Sequence, residues 1–95
     1  MELYTIPAGT EKKLTKIASH EQYDLVSIQL AAGEGIPVHD APHTVLIIVQ
    51  SGKVLFMVEG REQELISSTI LHMDPKEQHS LQAIEDCNLL LLKIK

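Results

Sequence analysis

The sequence predicts an all-β fold, a sandwich or barrel of about eight short strands. Apolar residues recur with the two-residue alternation of strands, and Gly, Pro, Ser and Asp interrupt them at short intervals. Ninety-five residues form one domain, residues 1–95, with no room for a second core. A chain of this size buries only about 60–65% of the surface that its unfolded form exposes. Association with a second copy would cover apolar surface that a lone copy leaves wet.

Taken in order, Glu11–Ala18 (EKKLTKIA) is the one segment with helical spacing, at Leu14, Ile17 and Ala18. The strand reading is preferred, because Tyr23–Leu30 alternates Val26, Ile28 and Leu30 against Ser27 and Gln29 and would pair with it in a hairpin. Gly33, Gly35 and Pro37 then punctuate the chain as a loop. Val45–Gln50 (VLIIVQ) and Lys53–Glu59 (KVLFMVE) flank Ser51-Gly52, a pattern that predicts a second hairpin. The second of these strands is apolar on both faces, with Val54, Phe56 and Val58 on one and Leu55 and Met57 on the other. Such a strand needs cover on both sides, from a facing sheet and from a partner subunit. Glu62–Ile66, Thr69–Met73, His79–Ile84 and Leu89–Ile94 complete the strands, with turns at Ser67-Ser68 and at Asp74–Glu77.

Composition removes several function classes. Apolar residues make up 44% of the chain and charged ones 22%, which is a folding composition and not a disordered one. The net charge of −5 repels a phosphate backbone, and Lys12-Lys13 is the only adjacent basic pair. Tyr4, Tyr23 and Phe56 are too few to stack single-stranded bases, so no nucleic acid is expected as a partner. No apolar run approaches a membrane span and MELYTIPAGTEKK is not a signal peptide, so no membrane association and a cytoplasmic location are expected. The lone Cys87, between Asp86 and Asn88, reads as a packed or half-exposed thiol and not a nucleophile. Nucleophile elbows, phosphate-cradling glycine loops and cysteine pairs are missing.

The histidines are the chemistry-bearing residues. GIPVHDAPH sets His39 and His43 four residues apart. Pro42 discourages the helix that would aim both at one metal. In a straight strand they would sit about 13 Å apart at roughly 3.3 Å per residue, a gap that two imidazoles at about 2.0–2.1 Å from zinc barely span. They converge only if Asp40-Ala41-Pro42 bends the chain.

From Gly33 to about Ile94 the sequence resembles a small single-domain cupin. The first motif of that family, here about residues 33–52, runs from glycine through proline to a histidine pair, a glutamate and an apolar strand ending in glycine. Gly33, Pro37, His39, Leu46–Val49 and Gly52 follow it. In the second motif, about residues 69–84, Ile70–Met73, Pro75 (one place late) and His79 follow an apolar strand, a proline turn and a histidine. GKVLFMVEGREQELISSTILHM is similar to the unit joining the two. The resemblance implies a cupin-type double-stranded β-helix, a jelly-roll barrel of the RmlC-like kind. It also implies a divalent transition metal (Zn, Fe, Mn or Ni) where the donors suffice. They are incomplete here, since Ala41 stands at the family's second histidine and Val45 at its glutamate. His39 and His79 remain, with His43 the third candidate for a metal. His72 is a weaker fourth, if Leu71 and Met73 face out. The expected pocket is His39, His43, Val45, Phe56, His72 and His79.

Three readings follow. The preferred one is a small-molecule binding or sensing barrel, a homodimer with a partly degenerate histidine site and undetermined activity. Another is a metal-dependent enzyme of dioxygenase or isomerase type, ranked second because Val45 removes the carboxylate. Asp40 or Glu34 would have to replace it. A non-catalytic dimeric barrel serving as an interaction module is the third possibility.

Overall fold

The computed structural model describes residues 1–8 and 13–95, and the side chains of all of these except 38 and 39. The segment predicted from Glu11 therefore begins outside the described residues. Nine strands are present among those described: β1 (Leu14–Ser19), β2 (Tyr23–Leu30), β3 (Gly35–His39), β4 (Thr44–Ser51), β5 (Lys53–Val58), β6 (Arg61–Ile66), β7 (Ile70–Met73), β8 (His79–Ala83) and β9 (Cys87–Ile94). They form two sheets, a five-stranded one ordered β1-β2-β9-β4-β7 and a four-stranded one ordered β3-β8-β5-β6. Every pairing is antiparallel. No helix among the described residues is long and apolar enough to cross a membrane.

The core lies between the sheets and follows from strand alternation. Ile28 and Leu30 of β2, Val45, Ile47 and Val49 of β4 and Cys87 and Leu89 of β9 face Val54 and Phe56 of β5 and Leu81 and Ala83 of β8. Leu46 and Ile48 of β4 and Leu90 and Leu92 of β9 take the opposite phase and stay half-buried on the outer face.

The Ser51-Gly52 hairpin predicted between β4 and β5 does not form. The two strands belong to different sheets, and the residues between them make a corner that carries the chain from one layer to the other. Gly52 has φ +83°, and a Cβ there would collide with the Asp86 carbonyl oxygen and approach the Cα and Cβ of Cys87 to 2.7 Å. Turn chemistry specifies a sharp reversal but not which sheet receives the next strand. The hairpin that does form joins β5 to β6 through Glu59 (φ 48°) and Gly60 (φ 77°). Val58 pairs with Arg61 around it, and two positive φ angles suit the right-handed twist of the flanking strands. The hairpin of β1 and β2 forms as predicted. β3 is a strand where the sequence predicts a loop, because two glycines and a proline conceal its pairing with β8.

Both chain ends fasten to the β1–β2 turn. The Lys95 ammonium lies 2.9 Å from the Asp24 carboxylate and donates to the His20 carbonyl at 3.1 Å. The Ser19 hydroxyl donates to Asp24 at 2.6 Å. This hydroxyl, then the Lys95 ammonium, hold the Asp24 carboxyl down at about 2. The Tyr4 hydroxyl is 2.7 Å from His20 Nε2 and also bonds Glu2, which pushes the phenol up to about 12. His20 is half-buried, its ring 4.9 Å from that of Tyr23.

Candidate functional site

The barrel is packed at one end and hollow at the other. At the packed end Leu30 pairs with Cys87 and Val54 with Ala83, and all four are buried. Burial also pushes the Cys87 thiol up, so it is the packed, unreactive group that the sequence suggested. At the other end the inward faces of the same strands leave a cavity of about 420 Å³.

Its walls come from alternate residues of several strands. Val26 and Ile28 of β2, Val45 of β4 and Leu91 of β9 form the side beneath the five-stranded sheet, with Leu14 of β1 at its edge. Ile36 and His79 close the side of the four-stranded sheet, and Asp40, Ala41 and Pro42 form the rim. A backbone bond fixes that rim: the Lys76 N–H donates to the Ala41 carbonyl at 2.7 Å, tying it to the turn between β7 and β8. That turn is itself closed by the Asp74 N–H donating to the Glu77 carboxylate at 2.6 Å.

Three polar side chains meet this aliphatic wall: His79, Asp40 and Lys93. His79 is only 4% exposed, and its Nδ1 lies 3.0 Å from the Glu77 carbonyl oxygen. A carbonyl only accepts, so in the neutral ring Nδ1 carries the proton and Nε2 the lone pair. Lys93 was missed by sequence reasoning, although a signal existed: it continues the inward phase of Cys87, Leu89 and Leu91 along β9. Opposite it on β2 stands Asp24, already engaged by Ser19 and Lys95. Among the described residues the Lys93 ammonium has no hydrogen-bond or ion-pair partner.

The predicted site residues fall into separate places. The register sets the backbone of His39 directly across from His79, but the side chain of His39 lies outside the described residues. Val45 lines the cavity. His43 is half-buried beside the rim and does not line it. Phe56 is fully buried in the core and is not among the residues that line the cavity. His72 corrects its assignment most plainly. Its neighbour Met73 faces the core, which turns His72 outward, with a side chain 56% exposed and 3.8 Å from Asp74. Neighbouring residues of a strand cannot share a face.

Donors for a metal are few in consequence. Among the described residues no group of three or more His, Cys, Asp or Glu side chains is arranged to hold an ion. At the cavity His79 and Asp40 are the donors described, short of the three protein ligands that a catalytic centre supplies.

Two facing antiparallel sheets joined by a corner at Gly52, with an open end bearing His79, define a small cupin, a double-stranded β-helix. More specifically, residues 26–94 match the family described as the AraC-like ligand binding domain, and the chain belongs to it. Solved structures agree on the fold. The chain is similar to an RmlC-like cupin family protein with a double-stranded β-helix fold from Methanocaldococcus jannaschii, with a TM-score of 0.89 and 18% identity over 99% of this chain and 90% of that one. It is also similar to a cupin superfamily protein from Desulfitobacterium hafniense, with a TM-score of 0.84 and 13% identity over 94% and 83% of the two chains. KdgF from Halomonas sp. gives a TM-score of 0.79 and 16% identity over 99% and 87%. No curated protein matches the chain significantly.

Proposed function

We propose that this cupin is a binding or sensing module that takes a small molecule into the open end of its barrel. The supporting observation is the cavity itself, about 420 Å³ of aliphatic wall with His79, Asp40 and Lys93 converging on it. Concave apolar sites with a few placed polar groups are the usual form of small-molecule pockets, at roughly 300–1,000 Å³. Membership of a ligand-binding family agrees with this.

A fluorescent apolar probe such as anilinonaphthalene sulfonate tests the proposal. Binding to the native protein should be saturable and should disappear in Ala41→Trp, which fills the mouth from the half-buried rim. Equal binding by Ala41→Trp and the parent protein, both folded by circular dichroism, would refute it.

The module is proposed to act as a homodimer. On the outer face of the five-stranded sheet Leu46, Ile48, Leu90 and Leu92 are half-buried and Ile70 is 65% exposed, a contiguous apolar surface that a second copy would cover. Sedimentation should give a dimer that Leu92→Glu converts to a monomer. A parent protein that sediments as a monomer at micromolar concentration overturns this assignment.

A further inference from the structure

Resting on the cavity proposed above as the ligand site, we infer that its ligand is an apolar monocarboxylate held by its charged end on Lys93. The wall disfavours a sugar first. A sugar presents hydroxyls on every side, and each one buried without a partner loses the hydrogen bonds it makes in water. Here the walls are mainly Val, Ile and Leu side chains, and the three polar groups, His79, Asp40 and Lys93, are too few to serve hydroxyls on every side. An aliphatic or aromatic body loses no hydrogen bonds in such a place and gains its transfer from water.

The sign of the charged end follows from which polar group at the cavity lacks a counter-ion. Lys93 is half-buried, and its inward register lays the stem along the wall beside Val45 and opposite Asp24. Asp24 does not serve it, being bonded to Ser19 and Lys95. The other ion at the mouth is Asp40, which is exposed and keeps its water. Of the two, the half-buried ammonium gains more from a ligand of opposite charge, because an ion pair strengthens as water is excluded around it. The net charge of −5 does not oppose this, since salt screens distant charges beyond about 8 Å.

Titration calorimetry with hexanoate, isovalerate and phenylacetate tests the inference, with hexanamide, hexylamine and arabinose as controls. At least one acid should bind and all three controls should bind far more weakly. Lys93→Gln, shown by its melting curve to be folded, should weaken acid binding roughly 10- to 100-fold. Lys93→Arg should restore most of it, and Asp40→Asn should leave it unchanged or tighter. Binding of hexanamide as tight as hexanoate, or of hexylamine in a manner lost with Asp40→Asn, overturns the ligand class. If no acid binds while the fluorescent probe still enters the cavity, the class fails and the pocket stands. If the probe also fails, the pocket falls and takes the class with it.

Discussion

The two ends of this barrel are built from the same strands and do different work. At one, Leu30, Val49, Val54, Ala83, Cys87 and Leu89 are packed almost without exposure. At the other, the same strands present Val26, Val45, Leu91 and Lys93 to a cavity. Six residues along β9 separate a buried thiol from an ammonium group at a mouth. The packed end supplies the stability that lets the open end go unfilled, which is a general arrangement for binding sites on small scaffolds.

The sharpest test of that contrast lies within β9, where Leu89 and Leu91 share one face. Leu89 is fully buried, so Leu89→Ala should cost about 3–5 kcal/mol, the lost transfer energy plus a new void. Leu91 already borders a cavity and is half-buried, so Leu91→Ala should cost less than about 2 kcal/mol. Urea unfolding of the two variants measures both. Equal costs would mean that the cavity is closed up in solution and that both ends are packed alike.

Next in size is a pair of glycines. Gly52→Ala must place a Cβ against Asp86 and Cys87 in a left-handed backbone, and should cost about 2–4 kcal/mol from strain and overpacking together. Gly60 has a similar φ of +77°, but nothing lies within 4 Å of its missing Cβ. Gly60→Ala should cost only about 1–2 kcal/mol, the backbone term alone. Similar losses at the two positions would remove Gly52 as a packing constraint on the corner.

A smaller effect is expected at the open end, where Asp24 of β2 bonds Ser19 at the end of β1 and Lys95 after β9. Its folded pKa, about 2, lies below its ordinary 3.8. The carboxylate therefore contributes stability at neutral pH, and this is lost as the pH falls from 3.8 toward 2. Asp24→Asn should melt below the parent protein at neutral pH, and the gap should narrow through that window. A gap that stays constant down to the lowest pH would show that Asp24 acts by shape and not by charge.

The fold was largely legible in the sequence because strand alternation reports burial directly. Val45, Ile47, Val49, Val54 and Phe56 were in phase and are in the core. What periodicity does not report is the sheet to which a strand belongs. Ser51-Gly52 and Glu59-Gly60 are both short and glycine-containing, yet one changes sheet and the other closes a hairpin. The difference lies in what packs on each turn, namely Asp86 and Cys87 on the first, over thirty positions away. The site was legible in part. His79 follows from the second motif and Val45 from the strand after the first. His72 was misplaced by one residue of strand phase, and Lys93 was overlooked because a lysine near a chain end reads as solvated surface.

The smallest expected effect concerns metal, and it separates the histidines at the two faces of the sheets. His72 is exposed on the outside and His43 stands off the cavity, so neither can complete a set with His79. Mass spectrometry measures the iron, zinc, manganese or nickel held by protein purified without an affinity tag. His43→Ala and His72→Ala should leave that content unchanged, since loss of a true ligand costs at least about tenfold in affinity. Stoichiometric metal that His43→Ala abolishes would mean that the rim at Asp40–Pro42 turns further inward than it does here. The open end would then belong to a metal centre and not to an organic guest, while the packed end would be unaffected.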